Sequence, residues 1–218
     1  MRKAIILIGI ALLVIIVGGQ AYAANLASNG GFEIPDISGT FTTYTSSPTG
    51  FVWAISNTGS GQYGPYGIDL INNYWNGSSG LLGDQSVDID FATKISQVLT
   101  TTPGQSYYLD FWYAHNPDNS NTSSTGDIKV EGGSTLFNLS LTHSEASTKS
   151  NMKFLQYKGM FTADGSSATL SFQGDYNNDY WGFVVDNVKV YPVPEPASMA
   201  LLGMGLLGAI GVGFRRKK

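Results

Sequence analysis

The chain of 218 residues has no cysteine and only two histidines, His115 and His143. Thiol nucleophiles, Cys-based zinc sites and disulfide frameworks are therefore excluded, and so is a three-histidine metal site. Arginine is missing from the whole stretch between Asn25 and Val193, where six lysines face fifteen acidic residues, a formal charge of −9. Nucleic acids are held by cations that displace counterions from phosphates, so this Arg-free acidic stretch argues against nucleic acid as a partner. No Gly-x-Ser-x-Gly elbow, His-Glu-x-x-His pair or phosphate loop occurs. Between the two apolar ends no segment carries a helical period.

Those ends are distinctive. Arg2 and Lys3 precede an apolar run from Ala4 to Val17 and then Ala21-Tyr22-Ala23, the small-x-small form of a secretory cleavage site. Residues 1–24 are expected to be a signal peptide handled by the Sec machinery; the alternative is an uncleaved membrane anchor. At the other end, Pro194-Glu195-Pro196 leads into the apolar run Ala197–Phe214 and the basic cluster Arg215, Arg216, Lys217 and Lys218. Eighteen helical residues at about 1.5 Å each span about 27 Å, close to the hydrocarbon thickness of a bilayer. The basic cluster should stay cytoplasmic, placing the preceding domain outside. The two prolines discourage helix just ahead of the membrane and leave an extended grip for a protease.

Period-two runs fill the interval. In "QSVDIDF" Val87, Ile89 and Phe91 alternate with Ser86, Asp88 and Asp90, and in "SYYLDFWYA" Tyr107, Leu109, Phe111 and Tyr113 alternate with Tyr108, Asp110, Trp112 and Ala114. "LFNLSL", "ATLSF" and "GFVVDNVKVY" continue the pattern, bounded by turn signals such as "TTPGQ" and "TADGSSA". Short alternating strands at regular intervals predict an all-β antiparallel sandwich, a jelly roll, over residues 25–191; a closed up-and-down barrel is the alternative. Residues 25–85 are loop-rich and leave open whether they drape over the sandwich or hide short strands.

The tail, Val193-Pro194-Glu195-Pro196-Ala197-Ser198 followed by the apolar run and basic end, resembles the PEP-CTERM sorting signal of Gram-negative bacteria. That resemblance implies recognition by exosortase, passage through an inner-membrane intermediate, and delivery to the cell surface, outer envelope or extracellular matrix of producers of extracellular polysaccharide. The segments "NLASNGGFE" (25–33), "ISQVLTTTPGQSYYLDFWYAHNP" (95–117) and "FVVDNVKVY" (183–191) resemble choice-of-anchor domains and, more distantly, galactose-binding-like jelly rolls of carbohydrate-binding modules. In those jelly rolls a Glu after the opening motif and an Asp on the last strand hold a structural calcium. The matching positions are Glu33 and Asp186. Strand parity places Asp186 beside Val184, Val188 and Val190, an expensive position for a carboxylate unless it is hydrogen-bonded, paired or bound to a cation. The alternative is a backbone-capping Asp186 with a solvated Glu33.

Sugar recognition suits flat aromatic surfaces with Asn and Asp groups beside them. Trp53, Tyr74, Trp75, Trp112, Tyr176, Tyr180 and Trp181 are the candidate platforms, although an aromatic on a sandwich strand is more often core. Asp88 and Asp90 read as solvated edge charges, not an acid/base pair. The expected protein is an exported, non-catalytic surface or biofilm-matrix component that binds polysaccharide. A purely structural adhesion module is the alternative, and a secreted glycan hydrolase a more distant one. Domain boundaries are expected at 1–24, 25–191 and 192–218.

Overall fold

The computed structural model describes residues 24–56, 60–61, 64–75, 83–175 and 180–194. Its strands run β1 (Phe41–Tyr44), β2 (Ala54–Ser56), β3 (Ser60–Gly61), β4 (Gly64–Pro65), β5 (Ile68–Asn72), β6 (Gln85–Ile89), β7 (Lys94–Thr100), β8 (Ser106–His115), β9 (Ser124–Glu131), β10 (Thr135–His143), β11 (Leu155–Thr162), β12 (Ser167–Gly174) and β13 (Phe183–Pro192). Among the described residues the one helical element is a single 3-10 turn, Asp118–Ser120. No described helix is long and apolar enough to cross a membrane, and the expected signal peptide and C-terminal span lie outside the described residues.

Alternation in each strand sends one set of side chains to a common core. Val87, Ile89, Leu109, Phe111, Val185 and Val190 from one sheet meet Ile95, Leu99, Ile128, Val130, Leu170 and Phe172 from the other, all buried. The first sheet has six strands in the order β1-β5-β6-β13-β8-β11, the second five in the order β10-β9-β12-β7-β2. Every pairing is antiparallel, as in β13 on β8 and β12 on β9. Both sheets keep free edges, so the sandwich is a jelly roll and not a closed barrel. The loop-rich region from 25 to 85 supplies the short strands β1 to β5 as well as loops.

Two matching segments, far apart in sequence, lie side by side. Asn25 Nδ2 donates to the Val188 carbonyl at 3.1 Å, its Oδ1 accepts from the Val190 amide at 2.7 Å, and the Val188 amide donates to the Gly30 carbonyl at 2.7 Å. A Cβ at Gly30 would sit 2.0 Å from the Val188 carbonyl oxygen, so "NGGF" requires glycine there. Opposite, β13 shifts register between Asp186 and Lys189, with Asn187 at φ 52°. This bulge corrects the parity expectation. Val185, Val188 and Val190 join the main core, whereas Val184 packs in a separate cluster on the other face of the sheet, so Asp186 does not share one face with all three valines.

The two histidines meet at the end of β8. The His115 amide donates to His143 Nδ1 at 3.2 Å, His115 Nδ1 lies 2.8 Å from the same atom, and His143 Nε2 lies 2.9 Å from the Lys153 carbonyl. A carbonyl only accepts, so His143 carries its proton on Nε2 and receives both His115 donors on Nδ1. Burial pushes both rings below the usual histidine range. They tie β10 to β8.

Candidate functional site

The outward face of the six-stranded sheet collects the polar side chains that alternate with the core. It carries Asp69 from β5, Asp88 from β6, Asp110, Trp112 and Ala114 from β8, Lys158 from β11 and Val184 from β13. Part of it is roofed by a small apolar cluster in which Trp75 and Met152, from loops, cover Ile71, Ala114 and Val184, with Tyr74 and Phe154 at the margin.

Beside that roof lies a cavity of about 90 Å³, lined by Phe41, Asp69, Ile71, Tyr74, Trp75, Asn116, Asp118, Tyr180 and Trp181. Tyr74 is 6.2 Å from Trp75 and 6.3 Å from Phe41, ring to ring. Lys149 bridges two of the lining residues: its Nζ lies 2.9 Å from Asp118 Oδ1, 4.4 Å from the centre of the Tyr74 ring, and hydrogen-bonds the Tyr74 hydroxyl. Two lining atoms are buried without a hydrogen-bond partner, the donor Trp75 Nε1 and the acceptor Asp69 Oδ1. Such orphans are expensive in a native protein unless something bound satisfies them.

Further along the face a wider cavity of about 410 Å³ is lined by Tyr108, Leu109, Asp110, Lys158, Gly159, Met160 and Tyr191. The Tyr108 and Tyr191 rings are 5.3 Å apart, Asp110 Oδ1 accepts from Gln156 Nε2 at 2.7 Å, and Met160 is exposed. Trp112, half-buried, stands between Asp186 of β13 and Gln156 of β11 in register.

Beneath the first cavity Asp69, Asp88 and Asp90 each bring a carboxylate oxygen within 4.8 Å of the others. Asp88 is 0% and Asp90 2% exposed, which corrects the expectation of solvated edge charges. The strand faces a roofed surface, so its polar positions are buried too. Burial, followed by repulsion from Asp88 and Asp69, pushes Asp90 up to about 9. Asp88 rises well above the carboxylate range, chiefly through burial, although Asn116 Nδ2 donates to its Oδ2 at 2.7 Å.

Of the expected platforms, Tyr74, Trp75, Tyr180 and Trp181 converge on the first cavity, Trp112 stands apart on the same face, and Tyr176 lies outside the described residues. Trp53 is corrected. It is completely buried against Phe32 and Phe172 and is a core residue. Glu33 is exposed, and its Oε1 accepts the Asp84 and Gln85 amides at 3.1 Å each. Asp186 is buried and accepts the Asn187 amide at 2.5 Å. Burial pushes Asp186 up to about 9, against the lowering effect of the Asn187 amide, and the charge of Glu33 adds to the rise. Pro194 is the last described residue; Glu195, Pro196 and Arg215, Arg216, Lys217 and Lys218 lie beyond. Sequence reading missed Asp69, Asn116, Asp118 and Lys149. Only Asp69 had a usable signal, as the polar residue between Ile68 and Leu70 on an alternating strand.

An all-β jelly roll with a tandem of aromatic and acidic depressions on one sheet face is the class of domain these elements define. Residues 25–191 match the family described as "Protein of unknown function (DUF642)", and the chain belongs to it. Residues 192–217 match the PEP-CTERM protein-sorting motif, a signal that indicates export and cell-surface sorting. No curated protein matches the chain. Among solved structures it is similar to a family 61 carbohydrate-binding module in complex with β-1,4-galactotriose, at 14% identity and TM-score 0.48, covering 78% of this chain and 100% of that one. It is also similar to a family 35 carbohydrate-binding module from Clostridium thermocellum (16% identity, TM-score 0.42, covering 71% and 100%). An arabinose-bound α-L-arabinofuranosidase matches at 12% identity and TM-score 0.48, over 78% of this chain but 26% of its own.

Proposed function

We propose that this protein is a non-catalytic component of a Gram-negative cell surface or biofilm matrix that binds polysaccharide through the outer face of its six-stranded sheet. The observation that carries the reading is the first cavity, where an unpaired buried donor, Trp75 Nε1, and an unpaired buried acceptor, Asp69 Oδ1, lie among four aromatic side chains. A sugar hydroxyl both donates and accepts, and the ring that bears it packs on aromatic faces, so one ligand class answers both features. At about 90 Å³ the cavity is too small to enclose an oligosaccharide, which points to contact with one residue of a polymer lying across the face. Hydrolysis by Asp88 and Asp90 is disfavoured because both side chains are buried, 0% and 2% exposed.

Affinity electrophoresis through gels containing neutral or acidic bacterial polysaccharides tests the binding. The wild type should be retarded by at least one polymer, and Trp181→Ala should weaken retention about tenfold, which corresponds to about 1.4 kcal/mol. Equal mobility of the two proteins on every polymer would remove the assignment. We also propose that exosortase processes the tail near Pro194-Glu195-Pro196 after Sec export. Intact mass of the protein recovered from envelope and medium should show loss of residues 1–24 and of the segment after the triplet; a full-length C-terminus in the recovered protein would contradict it.

A structural calcium between Glu33 and Asp186 belongs to the same proposal. Its support is the burial of Asp186, whose carboxylate a divalent cation would satisfy.

A further inference from the structure

We infer that Asp69, Asp88 and Asp90 form a second, independent site for a hard divalent cation of the calcium class, at the base of the aromatic cavity. The three carboxylates come from adjacent antiparallel strands. Asp69 is in register with Asp88 across β5 and β6, and Asp90 follows where β6 ends, its amide held by the Gly67 carbonyl at 3.1 Å. One oxygen of each lies within 4.8 Å of the others. Calcium sits 2.3–2.6 Å from its oxygen ligands, so two ligands of one ion are at most about 5 Å apart. The spacing therefore allows all three to share an ion.

Spacing alone would not distinguish a cation site from a crowded set of acids. The unsatisfied atoms do. Oδ1 of Asp88 and of Asp90, residues 0% and 2% exposed, makes no well-formed hydrogen bond, and neither does Asp69 Oδ1; the donors beside the trio are all neutral, Asn116 on Asp88 Oδ2 at 2.7 Å and, more weakly, the Gly182 and Gly67 amides and the Thr43 hydroxyl. If protons alone neutralised the cluster, the carboxyl groups would be expected to donate to one another or to a neighbour, leaving fewer acceptors orphaned. Among the described residues the ion pairs are Lys149 with Asp118 and Lys158 with Asp110, so no cationic side chain reaches the trio. Buried carboxylate oxygens held only by neutral donors are costly to ionise unless a cation completes the set. All-oxygen ligands without nitrogen or sulfur select calcium, magnesium or manganese over zinc and copper. Asp69 also lines the aromatic cavity, so the ion would lie next to whatever occupies that cavity and orient its hydroxyls.

Equilibrium dialysis of the purified full-length protein against radioactive calcium, with no glycan present, tests this independently of polysaccharide binding. Asp90→Asn should bind one calcium fewer per chain than wild type, while Glu33→Gln should keep this site. Melting curves give a second readout: in chelator Asp90→Asn should melt at or above wild type, because a buried repulsion is gone, and in millimolar calcium it should melt below. Should Asp90→Asn not fold, Asp69→Asn, at the least buried of the three, carries the same expectation. A wild type that binds no calcium, or equal calcium bound by wild type and both Asn variants, would overturn the site. Loss of all calcium in Glu33→Gln with none lost in Asp90→Asn would overturn it in favour of the other pair.

Discussion

Replacing Trp53 by alanine is expected to lower stability by about 3–5 kcal/mol, the range for truncating a buried large aromatic, while leaving polysaccharide retention of the folded fraction unchanged. The indole is completely enclosed, with its ring 5.6 Å from Phe32 and 6.0 Å from Phe172. Its Nε1 donates to the Asn29 carbonyl at 3.2 Å, so truncation opens a void and also strands an acceptor on the segment that leads to Glu33. Trp53→Phe keeps most of the volume and should lose about 1–3 kcal/mol, the cost of leaving the Asn29 carbonyl without its donor. Urea unfolding followed by tryptophan-independent circular dichroism would measure both. A drop smaller than about 1 kcal/mol for the alanine variant, accompanied by lost retention, would return Trp53 to the ligand face.

That residue also marks where sequence reading of the site stops. Stacking platforms and core aromatics have the same composition, and what separates them is which way a short loop turns. Trp53 precedes the three-residue strand β2, too short for alternation to declare a face, whereas Tyr74, Trp75, Tyr180 and Trp181 come from two loops 105 residues apart that meet at one end of the sheet. Their convergence depends on β13 lying between β6 and β8, a long-range topology that no local pattern encodes.

The strands themselves were far more readable, because period-two burial is a local property. β7 and β9 alternate almost perfectly between buried and less buried positions. The alternation misleads where a face is roofed. β6 is buried at all five positions, so Asp88 looks like a solvent residue by parity and is not one. It misleads again at the β13 bulge, where one extra residue reverses the faces beyond Asp186. In both places the departure from simple patterning coincides with buried carboxylates, as expected where local rules give way to a site.

Gln85→Leu should be the second most damaging change, costing about 3 kcal/mol or more, although leucine has nearly the volume of glutamine. The Gln85 amide is almost wholly buried and serves three backbone groups of one segment: Nε2 donates to the Phe32 carbonyl at 2.7 Å and the Pro35 carbonyl at 3.0 Å, and Oε1 accepts from the Ile37 amide at 2.9 Å. Leucine removes all three partners at once, and a buried backbone group without a partner costs about 1–3 kcal/mol. The segment cannot recover by moving outward without uncovering Phe32 and Ile37, both in the core. In a domain that has no disulfide to hold its N-terminal stretch, this amide and that of Gln97, which brackets Ser28 with bonds of 2.7 and 2.9 Å, take the place of a covalent tie. Glu33 rides on the same segment, so its carboxylate should lose its seat on the Asp84 and Gln85 amides and any calcium held with Asp186 should bind more weakly. Hydrogen exchange at the Ile37 amide separates a local from a general effect: its protection should collapse in Gln85→Leu while amides of β9 and β12 keep theirs. Retained protection at Ile37 with a stability loss under about 1 kcal/mol would mean that packing of Phe32, not the glutamine clamp, holds the segment in place.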